Sequence, residues 1–117
     1  RSAAVRQARA QRDAAAAEAR RARDGVLLEQ RQAYLQARDA RERLGVASKS
    51  VEAAEEGLRI TRARYEQGAA AVAELVDAEV ALAAVRSRGV VARYGYLTAL
   101  ANIERARGTL APASAAR

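Results

Sequence analysis

The chain has 117 residues and a net charge of +7, and half of its residues are hydrophobic. It contains no Phe, Trp, Met, Cys or His and only four Tyr, so it lacks the large side chains that fill the centre of a compact globule. The absence of Cys excludes a disulfide framework and cysteine-ligated metal, and the abundance of Ala, Arg and Glu favours long, thin helices packed closely together.

The first predicted element is a helix from about residue 2 to 66. No proline interrupts this stretch, and Gly68 supplies the glycine that commonly follows a helix C-terminus. Residues recur every seven positions, with a small residue three positions after each of the first four. The recurring residues are Ala37, Leu44, Val51, Leu58 and Tyr65, and those that follow are Ala40, Ala47, Ala54 and Thr61. A sustained heptad repeat of this kind predicts a left-handed coiled coil.

A tip turn at 67–71 and a second, shorter helix from about 72 to 107 follow. Gly108 and Pro112 predict that a tail at 108–117 leaves the helix. The second heptad series is Leu75, Leu82, Gly89, Tyr96, Ile103 and Leu110, followed by Ala78, Val85, Ala92, Ala99 and Ala106. A single turn between two such helices predicts an all-α fold, a long antiparallel coiled-coil hairpin.

The second helix has a further apolar stripe, one position round from its seam. Its members are Val76, Ala83, Val90 and Leu97, with Val72, Val80, Val91 and Leu100 beside them. A helix that is apolar on more than one side requires neighbours on more than one side. Two interpretations remain: a dimeric four-helix bundle, or a wall of many helices.

The two arms are unequal in length, so residues 1 to about 30 have no partner within the chain. Arginine and acidic residues alternate along the sequence, for example at Arg41-Glu42-Arg43. This pattern indicates a solvated helix face with pairs four residues apart. A nucleic-acid site is the alternative, but the interleaved aromatic residues of single-strand binders are missing.

No constellation in the sequence indicates catalysis. Ser48 and Ser50 flank Lys49, but no activating base accompanies them, and no glycine-rich phosphate loop occurs. We therefore predict no enzyme activity, no catalytic residue, no cofactor and no metal site. No run of about 18 apolar residues is present either, so no transmembrane helix is predicted.

The turn carries a family resemblance. Residues 64–68 read Arg-Tyr-Glu-Gln-Gly, residues 74–78 read Glu-Leu-Val-Asp-Ala, and the pattern closes between Tyr96 and Gly108. Over about residues 45–110 this order and spacing resemble the TolC-like outer membrane efflux protein family. The resemblance implies a homotrimer whose periplasmic α-barrel is built from such hairpins, each pairing one long helix with a shorter one. It also implies that this chain is a fragment, attached to the outer membrane through a part that lies elsewhere.

The resemblance further implies roles for residues at the tip. Tyr65, Glu74 and Asp77 match residues of the pore entrance, where rings of carboxylates would favour cations. The expected contact surface for a periplasmic adaptor protein, which links the channel to an inner-membrane transporter, consists of Gly68, Ala69, Ala70 and Val72. Ala70 departs from the pattern, since an arginine there bonds the tyrosine and locks the entrance in TolC-like channels.

Alternatives remain open for the site and for the function. Glu74 and Asp77 lie near the start of the second helix, where negative charge is favourable in any helix, and Gly68 could serve only as a turn residue. For the function, the alternatives are a periplasmic adaptor hairpin and a basic coiled-coil interaction module. The channel interpretation predicts no nucleic-acid partner.

Overall fold

The computed structural model describes residues 1–108. Two helices form the fold: α1 spans Ser2–Glu66 and α2 spans Val72–Ala106. They run antiparallel, and the molecule measures 100 × 35 × 16 Å. The prediction of an all-α antiparallel hairpin is confirmed. The predicted second helix reaches one residue beyond the observed α2, and all of the predicted tail except Gly108 lies outside the described residues.

The seam between the helices follows the heptad repeat. The residues of α1 that are at least partly covered at the seam are Ala33, Ala37, Ala40, Leu44, Ala47, Val51, Ala54, Leu58 and Thr61. Those of α2 are Leu75, Ala78, Leu82, Val85, Gly89, Ala92, Tyr96, Ala99, Ile103 and Ala106. Tyr65 is the exception: it belongs to the same heptad series but is 42% exposed, at the last turn of α1 where the seam ends.

Small side chains let the two helices approach closely. Ala37, Ala40 and Ala99 form a buried cluster, against which Tyr96 and Ile103 pack. Farther along, a Cβ atom added to Gly89 would lie 3.7 Å from the Cγ2 atom of Val51. The core is therefore a single thin layer, in keeping with the scarcity of large side chains.

Polar contacts across the seam agree with this antiparallel register. Arg86 pairs with Glu55 at 3.0 Å, and Arg62 pairs with Glu79 at 3.6 Å. All four side chains are about half exposed or more, so each pair contributes little to stability, within about 0.2–1 kcal/mol.

The first part of α1 extends beyond α2. The side-chain amide of Gln30 donates to the Ala106 carbonyl oxygen at 3.3 Å, which marks where α2 ends against α1. Residues 1–29 are exposed except for the half-buried Ala17. At 1.5 Å per residue this overhang is about 40 Å long, as the unequal arms predicted.

The outer face of α2 stays apolar and exposed. Val80 is 63% exposed and Val91 70%, and Val72, Val76, Val90, Leu97 and Leu100 are exposed as well. On α1, Val46 and Ile60 also face solvent. Within residues 1–108, neither helix combines the length and the apolarity needed to cross a membrane.

Candidate functional site

The tip of the hairpin is built around a glycine-ended helix terminus. The Ala69 amide donates to the Arg64 carbonyl oxygen at 2.8 Å, and the Gly68 amide donates to the Tyr65 carbonyl oxygen at 3.0 Å. These two bonds define a Schellman motif, which requires a left-handed residue after the helix. Gly68 has φ +72°, a conformation that is costly for a residue with a Cβ atom. Nothing lies within 4 Å of a Cβ atom built there, so the requirement for glycine comes from the backbone and not from crowding.

The second helix begins without a side-chain cap. Ala71 is the N-cap residue, and its carbonyl oxygen accepts hydrogen bonds from the amides of Glu74 and Leu75 at 3.1 and 3.3 Å. Glu74 lies in the first turn, where the helix dipole favours a carboxylate. Asp77 lies three residues further, on the same side of α2 as Glu74.

Arg64 links the two sides of the tip. Its guanidinium group donates to the Ala69 carbonyl oxygen at 3.0 Å and lies 3.7 Å from the Glu74 carboxylate. The arginine side chain therefore joins the last turn of α1, the tip turn and the first turn of α2. No motif in the sequence indicated a role for Arg64. Its position in the last helical turn was visible, but its partner ten residues later could be found only once the register across the turn was known.

The two predicted entrance carboxylates have different surroundings. Glu74 is paired with Arg64, and both side chains are about half exposed. Asp77 is exposed and has no hydrogen-bond or ion-pair partner among residues 1–108. Tyr65 lies at the tip, and among residues 1–108 its hydroxyl group bonds to neither carboxylate.

The predicted adaptor-contact residues form a surface of small and apolar side chains. Gly68, Ala69 and Val72 are exposed, whereas Ala70 is half-buried. The Arg64 guanidinium group borders this surface, because it donates to the Ala69 carbonyl oxygen. Such a tip can pack closely against another backbone.

The two ionisable groups of residues 1–108 with clearly shifted pKa values, Glu56 and Arg59, lie outside the tip. The Arg59 guanidinium donates hydrogen bonds to the Glu56 carboxylate at 2.8 and 2.6 Å. These bonds lower the pKa of Glu56, and their effect outweighs that of desolvation. Glu56 and Arg59 lie three residues apart on α1, and within residues 1–108 the pair forms no hydrogen bond or ion pair with α2. It therefore stabilises α1 locally and is not part of the tip site.

The fold defines the class of protein. Two long helices that share one thin seam make the protein an open α-helical hairpin, and the apolar side chains exposed on its outer faces are typical of surfaces that pack against other protein.

Comparison with known proteins identifies the family. Residues 1–109 match the family model described as outer membrane efflux protein, and the chain belongs to that family. Its members are components of outer membrane efflux channels, a transport family rather than a family of enzymes. No curated protein and no solved structure matches the chain. The resemblance seen in the sequence is thereby confirmed and extended from residues 45–110 to nearly the whole chain.

Proposed function

We propose that this hairpin is a segment of the periplasmic tunnel of a homotrimeric outer membrane efflux channel. The observation that carries the proposal is the exposed apolar face of α2, which includes Val76, Val80, Val90 and Leu97. Burying one such side chain fully is worth about 1.5–3 kcal/mol. Covering several such side chains on one helix with neighbouring helices would therefore add several kcal/mol of stability.

The arrangement of exposed residues favours a ring over a closed pair of hairpins. Apolar side chains are exposed on both helices, on α1 at Val46 and Ile60 and on α2 at Val80 and Val90. If the outer face of α1 packs against the outer face of α2 in the next hairpin, the contact is heterologous, which means that it joins two different surfaces of the same chain. Repeated contacts of this kind form a closed ring when the rotation between neighbours allows it. A tunnel wall is such a ring.

The overhang of α1 has a place in the same arrangement. Residues 1–29 are nearly all exposed beside the end of α2. A second short helix, stacked end to end on α2, would cover this stretch and continue the wall. This stacking pairs the long helix with two shorter ones.

The tip then forms the periplasmic entrance and the docking surface. Tyr65, Glu74 and Asp77 line the entrance, and their carboxylates favour cations over anions. Gly68, Ala69, Ala70 and Val72 contact the adaptor protein, which connects the channel to an inner-membrane transporter. The exposed, small side chains of this turn support close packing against an adaptor.

Assembly of the intact channel tests the ring. Val80→Arg combined with Val90→Arg places two charges on the outer face of α2, which would be buried in the assembled wall. We expect loss of the crosslinked trimer and of efflux, while the 117-residue chain with the same changes keeps its helical circular dichroism. Arg93→Gln, at an exposed charged position of α2, is the control and should leave assembly intact. Normal trimers and efflux in the double variant would refute the ring.

The entrance is tested separately by charge reversal. Glu74→Lys together with Asp77→Lys should reverse or abolish the cation preference of the channel, measured as the reversal potential in a KCl gradient. An unchanged reversal potential would remove the tip from the conduction path, whatever the trimer assay shows.

A further inference from the structure

We propose that Arg64 is the positioning residue of the tip: it holds the turn and neutralises Glu74, so that Asp77 is the only one of the two predicted entrance carboxylates whose charge is uncompensated. This inference rests on the proposed function, because it concerns which groups of the entrance act on ions. It is drawn from the contacts of Arg64, a residue to which neither the sequence nor the family match assigns a role.

Arg64 is held at two points. Its guanidinium group donates to the Ala69 carbonyl oxygen at 3.0 Å, while its own backbone carbonyl accepts the amide of Ala69 at 2.8 Å. The same residue therefore bonds both polar groups of Ala69. The side-chain bond directs the guanidinium group across the turn, and the backbone bond, which belongs to the Schellman motif, holds Ala69 within its reach.

From that position the guanidinium group reaches the first turn of α2. A distance of 3.7 Å separates it from the Glu74 carboxylate. Opposite charges at this separation cancel at longer range, so the pair acts on a passing ion as a weak dipole rather than as a negative charge. Of the two predicted entrance carboxylates, Glu74 and Asp77, only one therefore stays uncompensated in each chain.

Asp77 is the carboxylate that stays uncompensated. It is exposed, and no cation pairs with it within residues 1–108. Arg62, the basic residue that precedes Arg64 on α1, forms an ion pair with Glu79 at 3.6 Å. Each of the two arginines of α1 nearest to the tip thus pairs with a glutamate, and neither pairs with Asp77.

Ion selectivity of the intact channel distinguishes an entrance with a neutralised Glu74 from one in which Glu74 and Asp77 are both free. The readout is the permeability ratio of K⁺ to Cl⁻. Arg64→Gln should raise cation preference, because it uncovers Glu74, and Asp77→Asn should lower it. In water, one charge about 8 Å from an ion changes the local concentration of that ion about twofold. Each single substitution should therefore change the permeability ratio by about that factor. The pair deletion Arg64→Gln with Glu74→Gln removes no net charge and should leave the ratio near that of the unmodified channel.

Different results are expected if Glu74 is a second free carboxylate. If Arg64 does not neutralise Glu74, Arg64→Gln leaves the ratio unchanged, and the pair deletion lowers it as much as Asp77→Asn does. Either result overturns the role of Arg64 while leaving the acidic entrance in place. If Asp77→Asn also has no effect, the entrance itself is assigned wrongly and the proposed function of the tip fails.

Thermal stability of the 117-residue chain measures the Arg64–Glu74 ion pair independently of ion selectivity. The conservative variant Arg64→Lys tests whether the charge alone is sufficient. The variants Arg64→Gln and Glu74→Gln should each lower the melting midpoint by about 1–5 °C, and their effects should be less than additive. The Arg62–Glu79 pair, varied in the same way, is the matched control for loss of any interhelix ion pair. Arg64→Lys retains the charge and should restore the selectivity of the channel. Additive effects in the Arg64–Glu74 cycle, or no rescue by lysine, would contradict the proposal.

Discussion

Leu82 is the position at which the seam can be tested most sharply. It is 6% exposed, and it is the largest of the five buried hydrophobic side chains in residues 1–108. Leu82→Ala removes three carbon atoms, worth about 0.8 kcal/mol each, or about 2.4 kcal/mol in all. A residual cavity would raise the cost toward the upper end of the range of about 2–5 kcal/mol for such changes. Leu82 and Leu58, however, border an open groove, so we expect about 2–3 kcal/mol.

The matched control is Leu97→Ala, which makes the same chemical change on the same helix. Leu97 is 49% exposed and lies on the outer face, so its loss should cost less than about 1 kcal/mol in the 117-residue chain. Urea unfolding followed by circular dichroism at 222 nm measures both variants. Leu82→Asp places a charge in the seam and should destabilise the hairpin more than Leu82→Ala does. Equal destabilisation by the two alanine variants would refute the assignment of faces, and so would a Leu82→Asp chain as stable as the unmodified one.

Three further changes test local features by thermal or urea unfolding of the same chain. Gly68→Ala should destabilise by about 1–2 kcal/mol, because it forces a Cβ atom into a left-handed conformation; a neutral effect would contradict the Schellman turn. Gly57→Ala, by contrast, should stabilise by about 0.5–1 kcal/mol, because Gly57 lies inside α1 with open space around it. Glu56→Gln should lower stability at neutral pH but not in strong acid. The lowered pKa of Glu56 means that its pairing with Arg59 stabilises above the ordinary pKa of 4.5 and is lost as the pH falls through the lower folded value. A difference that persists in strong acid would assign the effect to something other than this ionisation.

The features that could be predicted from the sequence are those with a short-range signal. The seam repeats every seven residues over most of both helices, and each repeat reinforces the assignment of the others. Gly68 could be identified because only glycine readily adopts the conformation that a Schellman turn demands. The outer stripe of α2 was visible because Val76, Val90 and their neighbours repeat with the same period.

The contacts that could not be predicted depend on the register between helices. Arg64 and Glu74 are ten residues apart on different helices, and the sequence contains other arginines and glutamates at similar separations. Which of them meet is decided by the length of the turn and by the closeness that alanine allows at the seam. The exposure of Tyr65 has the same origin, since its heptad position predicts burial but the seam ends before it.

The glycines inside the helices point to the same conclusion as the exposed apolar residues. Gly25, Gly45, Gly57 and Gly95 lie within helices, and a Cβ atom added at any of them would meet nothing within 4 Å. Each costs the helix about 0.5–1 kcal/mol relative to alanine, and the hairpin gains no contact in return. A neighbouring helix that approaches closely at these points would account for them, as it would for the valines of α2. On this view the hairpin gives up stability of its own in favour of the assembled wall, and Gly57→Ala should stabilise the separate chain while weakening the channel.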